Sequence, residues 1–241
     1  MTTVGLNQVI STQTPIKFAA ASVGRKILMA CTGLSLIGFL IVHLIGNLQL
    51  FVGQETLNNY AETLQSLGGL KWGFRLVLLA LAAIHIWEGI VVWLKNRKAR
   101  PVKYFREERV ESTLFSRTMF WTGLLLGFFI VYHLLHFTLI VTNPEYATLT
   151  DGNRLDVYSM VITGFSHYAI AGTYIIAMAL LAFHLAHAAE SLFQTLGLNN
   201  TKYMPILKLL SNLFAFAIFV GYASMPVAVL FKLIQLPVGG N

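Results

Sequence analysis

Five long apolar stretches constrain this chain more than any other feature. They cover residues 27–51, 72–94, 118–141, 167–189 and 206–231. A helix needs about 20 mostly apolar residues to cross the hydrocarbon core of a bilayer, and each stretch meets that length. Of the 241 residues, 56% are hydrophobic and only 11% are charged, against about 25% charged in an ordinary soluble domain. The sequence therefore predicts an all-α integral membrane protein with five transmembrane helices.

Several kinds of functional site are excluded by residue counts and motifs. The single cysteine, Cys31, is too few for a disulfide scaffold or a cysteine-rich zinc or iron–sulfur site. The chain has no C-x-x-C-H sequence, so that motif cannot attach a haem covalently. Neither G-x-G-x-x-G nor G-x-x-x-x-G-K-[ST] occurs, which removes the usual dinucleotide and nucleotide signatures.

The basic residues predict an orientation. Thirteen of the 17 lysines and arginines fall on one side of the five stretches, namely Lys17, Arg25, Lys26, Lys95, Arg97, Lys98, Arg100, Lys103, Arg106, Arg109, Arg117, Lys202 and Lys208. By the positive-inside rule, the N-terminus is predicted to be cytoplasmic and the C-terminus outside, in the inner (cytoplasmic) membrane. We expect a tail over 1–26, a five-helix membrane domain over 27–234 and an outer tail over 235–241. The net charge of +7 is thus a topology signal, and we expect no nucleic-acid partner.

The connections predicted to lie outside carry some structure. Apolar residues at helical spacing between the first two stretches, Leu57, Tyr60, Ala61, Leu64 and Leu67, predict a short amphipathic helix on the outer surface. The connection over 142–166 is long enough for a small structured cap. We expect no internal repeat and no linker between soluble domains, so the chain is predicted to form one membrane domain.

The seven histidines all lie in or at the edge of the apolar stretches, where ionisable residues are costly and commonly functional. A rise of about 1.5 Å per residue places His43 and His133 roughly 24 and 22 Å from the cytoplasmic edge. His85 and His184 lie about 15 and 9 Å from that edge. Depth therefore pairs His43 with His133 in the outer half and His85 with His184 in the inner half.

Two opposed histidines at one depth can ligate the iron of a b-type haem, which is held by ligation and packing. Glycines that would leave room for a flat macrocycle are Gly33, Gly38, Gly46, Gly89, Gly123 and Gly127, although G-x-x-x-G is also an ordinary helix-packing motif. A di-iron site built from the two H-x-x-H pairs is disfavoured, because one pair is outer and the other inner. A histidine-lined transporter or proton channel with no cofactor stays open as a rival.

The chain resembles a known family over about residues 25–231. The residues that carry the resemblance are F-L-I-V-H-L-I-G-N-L-Q-L-F around His43, H-I-W-E-G-I-V-V-W-L-K-N-R-K-A-R-P from His85, S-R-T-M-F-W-T-G before the third stretch, V-Y-H-L-L-H around His133, and F-H-L-A-H-A-A-E-S-L-F-Q-T-L-G from Phe183. The family is the dihaem cytochrome b membrane anchor of succinate:quinone oxidoreductase and fumarate reductase, in its single-subunit, five-helix form.

The resemblance implies a cofactor set and partners. Two haem b groups would be ligated by His43 with His133 and by His85 with His184. A flavoprotein subunit would oxidise succinate, an iron–sulfur subunit would pass electrons to the inner haem, and the outer haem would reduce a membrane quinone, either menaquinone or ubiquinone. The basic cytoplasmic segments would dock the iron–sulfur subunit, and the whole complex could oligomerise in the lipid bilayer.

Further site residues are predicted around the haems. His136 and His187 are candidate hydrogen-bond partners of haem propionates or a quinone. Candidate partners of the inner-haem propionates are Arg25, Lys26 and Arg117. Candidate quinone-site residues are Asn47, Gln49, Glu62 and Arg75. Some fumarate-reducing members carry a glutamate two residues before the fourth ligand, where this chain has Ala182. That departure disfavours a quinol-oxidising enzyme. Fumarate reductase and the cytochrome b anchors of hydrogenase, formate dehydrogenase or nitrate reductase stay open as alternatives.

Overall fold

The computed structural model describes residues 22–98, 114–195, 197 and 200–236. Within them the longer elements are seven α-helices and a two-stranded hairpin. The helices are α1 (Ser22–Asn47), α2 (Gln54–Ser66), α3 (Gly69–Lys98), α4 (Leu114–His133), α5 (Val157–Ser166), α6 (Tyr168–Thr195) and α7 (Met204–Leu230). The antiparallel strands are β1 (Thr150–Asp151) and β2 (Arg154–Leu155).

The prediction of an all-α membrane protein is confirmed. Five helices of the described chain are long and apolar enough to span a bilayer, and they are Val23–Phe51, Gly69–Lys98, Thr118–Thr138, Tyr168–Thr195 and Met204–Leu230. Large apolar side chains on the surfaces of these helices, such as Val42, Phe128 and Ile176, are more than half exposed. Lipid is the solvent that suits such surfaces, since the helices satisfy their own backbone hydrogen bonds.

The spanning helices pack as a bundle whose best-covered member is α7. Helix α6 lies between α7 and α4, and α1 packs mainly on α3. Tyr222 of α7 donates a hydrogen bond to the Leu40 carbonyl of α1 at 2.7 Å, which ties the fifth span to the first. Pro226 is fully buried inside α7. Span five therefore forms one wall of the bundle.

We name the two ends of the bundle inner and outer. The inner end holds the beginning of α1 and the end of α3, and the outer end holds α2 and the hairpin. The amphipathic helix predicted between the first two spans is confirmed as α2, with Leu57 buried. The predicted cap is also present, as a 3-10 turn (Pro144–Thr148), the hairpin and α5. Asn58, which is completely buried, donates to Asp151 at 3.1 Å and to Asp156 at 2.9 Å, and so joins α2 to this cap.

The third span ends earlier than the predicted Val141. A π-helical turn (Leu134–Thr138) follows α4, and its wider ring is closed by the Leu139 amide donating to the Leu134 carbonyl at 2.8 Å. Ile140 then takes a left-handed conformation with φ 53° and ends the helix. Turns of this kind inside α-helices occur frequently at functional sites, and this one follows directly after His133.

Some sequence-based predictions lie outside the described residues. These are the tail over 1–21, the basic loop over 99–113 with Arg100, Lys103, Arg106 and Arg109, and residues 237–241. Arg117 lies within α4, but its side chain is also outside the described part.

Candidate functional site

Four histidines from four helices face each other in two pairs. The ring centroids of His43 and His133 are 6.0 Å apart, with an angle of 79° between the ring planes. The centroids of His85 and His184 are 6.3 Å apart, with an angle of 73°. These are the pairs that depth along the helices predicted, one towards each end of the bundle.

The spacing within each pair suits two ligands of one metal ion. Imidazole nitrogens bind metal ions at about 2.0–2.1 Å, so two rings on opposite sides of one ion have nitrogens about 4 Å apart and centroids about 6 Å apart. The observed separations of 6.0 and 6.3 Å agree with that value. Edge-to-face ring contacts without an ion also have centroids about 4.5–7 Å apart, so the separation is compatible with both arrangements. Each pair is therefore a candidate for holding an ion between its two rings.

One continuous cavity joins the two pairs. Its volume is about 1510 Å³, and all four histidines line it. Ordinary ligand pockets have volumes of about 300–1,000 Å³, so this cavity exceeds the needs of one small molecule. The ring of His85 lies against Gly33, ten residues before His43 on α1. The two levels are therefore about 15 Å apart along the helix axis.

The six glycines predicted to leave room for haem play different parts. Gly33 and Gly123 lie under histidine rings, and a Cβ atom on either would approach His85 Cε1 at 3.1 Å or His184 Cε1 at 3.2 Å. A Cβ on Gly46 would lie 2.5 Å from the Tyr60 hydroxyl, so this glycine admits α2 rather than a ligand. The other three are Gly38, Gly89 and Gly127; Cβ atoms on Gly38 and Gly89 would meet no atom within 4 Å, and one on Gly127 would contact only Ile86.

The inner histidines each have a threonine beside Nδ1. The Thr32 hydroxyl lies 3.2 Å from His85 Nδ1, and the Thr122 hydroxyl lies 3.3 Å from His184 Nδ1. In both cases the other ring nitrogen, Nε2, is left for the cavity. The sequence analysis missed these threonines, because an uncharged hydroxyl residue inside an apolar helix gives no signal of a functional role.

The outer histidines have different partners. His43 stacks on Phe39 at 5.1 Å, and its Nδ1 lies 3.3 Å from the Asn47 amide nitrogen. His133 Nδ1 lies 3.3 Å from the hydroxyl of Tyr174, a buried residue that the sequence analysis also missed. Partners of this kind orient a metal ligand and tune its basicity.

The predicted partners of the haems are distributed over both ends. His187 lines the cavity, and its Nδ1 is buried without a hydrogen-bond partner within the described chain. His136 does not line the cavity; it is fully buried, and its Nδ1 lies 2.9 Å from the Tyr174 hydroxyl. Lys26 lines the inner end of the cavity. Arg25 instead donates to both carboxylate oxygens of Glu88, at 2.8 and 3.1 Å.

The structure brings together only part of the predicted quinone site. Asn47 and Arg75 line the outer end of the cavity, together with Tyr60 and Lys71. Gln49 and Glu62 are not among the lining residues. Glu62 is exposed and lies 3.3 Å from the Arg154 guanidinium of the cap. The sequence analysis placed these side chains correctly at the outer end of the bundle. Helix α2, which carries Glu62, directs that side chain towards Arg154 of the cap.

Within the described part of the chain, no group of three or more His, Cys, Asp or Glu side chains is arranged to hold a metal ion. The candidate site thus consists of two pairs of histidines.

Comparisons with known proteins add no relative. No protein-family model matches the sequence, no curated protein matches it, and no solved structure matches it.

Proposed function

We propose that this chain is the membrane anchor and electron-transfer subunit of a succinate dehydrogenase, which connects an iron–sulfur subunit to a membrane quinone by means of two b-type haems. The observation that carries the proposal is the pair of facing histidine couples, spaced at 6.0 and 6.3 Å in one long cavity. His43 with His133 would hold the outer haem, and His85 with His184 the inner one. When bound between two histidines, a haem iron supplies one-electron transfer.

The residues of this chain have three tasks in that function. The four histidines ligate, and the residues beside their Nδ1 atoms orient them. The glycines beneath the inner rings, Gly33 and Gly123, allow helices and rings to approach closely. The mainly apolar side chains that line the cavity suit the apolar faces of a macrocycle.

The two ends of the cavity suit different contacts. The inner end, with Lys26 and the basic last turn of α3, would lie near the iron–sulfur and flavoprotein subunits. The outer end offers Asn47, Tyr60, Lys71 and Arg75 as polar groups for a quinone. Arg75 lies over the Trp72 ring at 5.1 Å, which holds the guanidinium near the expected interface of the bilayer.

The proposal is tested by expressing the chain with and without its partner subunits. With a flavoprotein and an iron–sulfur subunit present, succinate should reduce the bound haem, and a quinone should reoxidise it. A chain that binds two haems but is reduced only with hydrogen or formate would instead belong to another oxidoreductase. A chain with no visible absorbance would support the histidine-lined transporter.

A further inference from the structure

Each inner histidine lies beside a threonine whose hydroxyl donates its proton to backbone carbonyls of its own helix. The Thr32 hydroxyl donates to backbone carbonyls of its own helix, at 2.8 Å from Leu28 O and 3.1 Å from Met29 O. A hydroxyl has one proton, so towards His85 Nδ1 its oxygen can only accept. The Met29 carbonyl, also 3.2 Å from that nitrogen, is an acceptor as well. His85 must therefore carry its proton on Nδ1, which leaves a lone pair on Nε2.

The same arrangement recurs at the other inner histidine. The Thr122 hydroxyl donates to the carbonyls of Thr118 and Met119, each at 3.1 Å. The Met119 carbonyl also forms a hydrogen bond with His184 and can only accept. The Thr122 oxygen, 3.3 Å from Nδ1 of His184, is therefore a second acceptor. Both inner rings are thus fixed in the tautomer that ligates a metal through Nε2. At the outer level, by contrast, the group beside Nδ1 of His43 is the amide nitrogen of Asn47 and not a threonine hydroxyl.

A glycine follows each threonine in the sequence and leaves space for the histidine ring. A Cβ atom on Gly33 would lie 3.1 Å from His85 Cε1, and one on Gly123 would lie 3.2 Å from His184 Cε1. Both distances are shorter than ordinary van der Waals contact. An alanine at either position would press on the ring edge and move Nε2.

The two Thr-Gly pairs belong to a sequence repeat. The sequence analysis missed this repeat, so the expectation of no internal repeat is wrong. Residues 29–44 and 119–134 share the pattern M-x-x-T-G-L-x-L-x-x-F-x-x-x-H-L at an offset of 90. In each copy the threonine and glycine contact an inner histidine of the next spanning helix, and the final histidine belongs to the outer pair. The phenylalanine four residues earlier stacks on it, as Phe39 does on His43 and Phe129 on His133.

We infer that Thr32–Gly33 and Thr122–Gly123 are two matched positioning pairs, which select the ligating tautomer of His85 and His184 and set the separation of their Nε2 atoms. The inference rests on the proposed binding of an inner haem. An acceptor on Nδ1–H raises the basicity of the ligand and so stabilises the oxidised iron. The two pairs therefore lower the potential of the inner haem relative to a site without them.

Threonine variants test the tautomer. Thr32→Val and Thr122→Val keep the shape of the side chain but remove the hydroxyl acceptor, so that beside His85 Nδ1 only the Met29 carbonyl remains. Thr32→Ser and Thr122→Ser keep the hydroxyl. In a redox titration of the purified, haem-loaded chain, each valine variant should raise the midpoint potential of the inner haem only. The serine variants should restore the wild-type value. Thr173→Val is the matched control, because the Thr173 hydroxyl donates to Ala169 O at 2.8 Å on an exposed face of α6.

Glycine variants test the close contact between these glycines and the histidine rings. Gly33→Ala and Gly123→Ala should each reduce the inner haem content while the outer haem is retained, which also shows that the chain has folded. Gly38→Ala, on the same helix but not among the residues that line the cavity, should keep both haems. The inference is overturned if both valine variants leave the inner potential and spectrum unchanged, or if Gly33→Ala and Gly38→Ala behave alike. A wild-type chain that binds no haem would instead refute the proposed function itself.

Discussion

The hydroxyl of Tyr174 lies 2.9 Å from Nδ1 of His136 and, on its other side, 3.3 Å from Nδ1 of His133. The two histidines of the H-x-x-H sequence are therefore not two ligands of one site. His133 faces the cavity, and His136 is buried behind it as the partner of a tyrosine. The π-helical turn that begins after His133 carries His136.

We expect His136→Phe and Tyr174→Phe to keep both haems and to change only the potential of the outer one. Either change removes a hydrogen-bonding group near His133 without removing a ligand, and changes of this kind tune a metal rather than release it. Redox titration of the haem-loaded variants checks this. Loss of the outer haem from His136→Phe would place the ligand one turn away from His133.

The four ligand histidines predict a pairwise pattern of loss. A b-type haem has no covalent tether, so replacing one ligand should empty its site. His43→Ala and His133→Ala should abolish the same spectral component, and His85→Ala and His184→Ala should abolish the other. About half of the haem should remain in each case. His187→Ala is the control, because His187 lines the cavity outside both pairs and should leave two haems.

Loss of one component from both His43→Ala and His85→Ala would contradict the pairing. Those two residues lie on neighbouring helices but at different levels, so a shared site would require a different packing of α1 against α3.

The length of the apolar stretches was sufficient to predict the spans, because a helix must cross the bilayer. The rise per residue was sufficient to predict which histidines lie at similar depths. The hydrogen-bonded residues around the site were beyond that reasoning. Thr32, Thr122 and Tyr174 carry no charge and have ordinary spacing, and only the repeat at an offset of 90 could have indicated the threonines. Glu62 was misplaced because a depth estimate does not give the direction in which a side chain points, and Arg154 attracts it to the cap.

The outer cap predicts an acid-sensitive local opening. Arg154 bonds to Asp151 at 2.7 Å and to Glu55 at 2.7 Å, and so holds the hairpin against α2. The hydrogen bonds from Arg154 and then Asn58 hold the pKa of Asp151 below its usual value. A lowered folded pKa stabilises the cap above the unfolded value and loses that stabilisation as the pH falls through the folded value. The window therefore lies below about pH 4.

Hydrogen exchange of residues 54–66 and 150–157 measures this opening. Protection should fall as the pH drops below about 4 in the wild type, and Arg154→Ala should show reduced protection already at neutral pH. Lys232→Ala, which also removes an outer basic residue, is the control and should behave as the wild type. Equal protection in the wild type and in Arg154→Ala would show that the guanidinium does not hold the cap.

The orientation of the bundle is predicted from the basic residues alone. A periplasm-active reporter fused after Asn241 should be active, and a cytoplasm-active reporter at the same place should be silent, because thirteen of 17 basic residues lie on the opposite side. The same reporters fused after Thr195 serve as the internal comparison and should give the reverse result. A cytoplasmic C-terminus would exchange the inner and outer assignments of the two histidine pairs.

The most direct test of the account is the haem content of the purified chain. A pyridine haemochrome assay together with a dithionite-reduced spectrum should give two b-type haems per chain, with two components that titrate separately. The facing histidines at 6.0 and 6.3 Å lead to that number. A fully loaded protein with one haem would contradict one of the pairs, and a folded protein that cannot be loaded with haem would contradict the central claim.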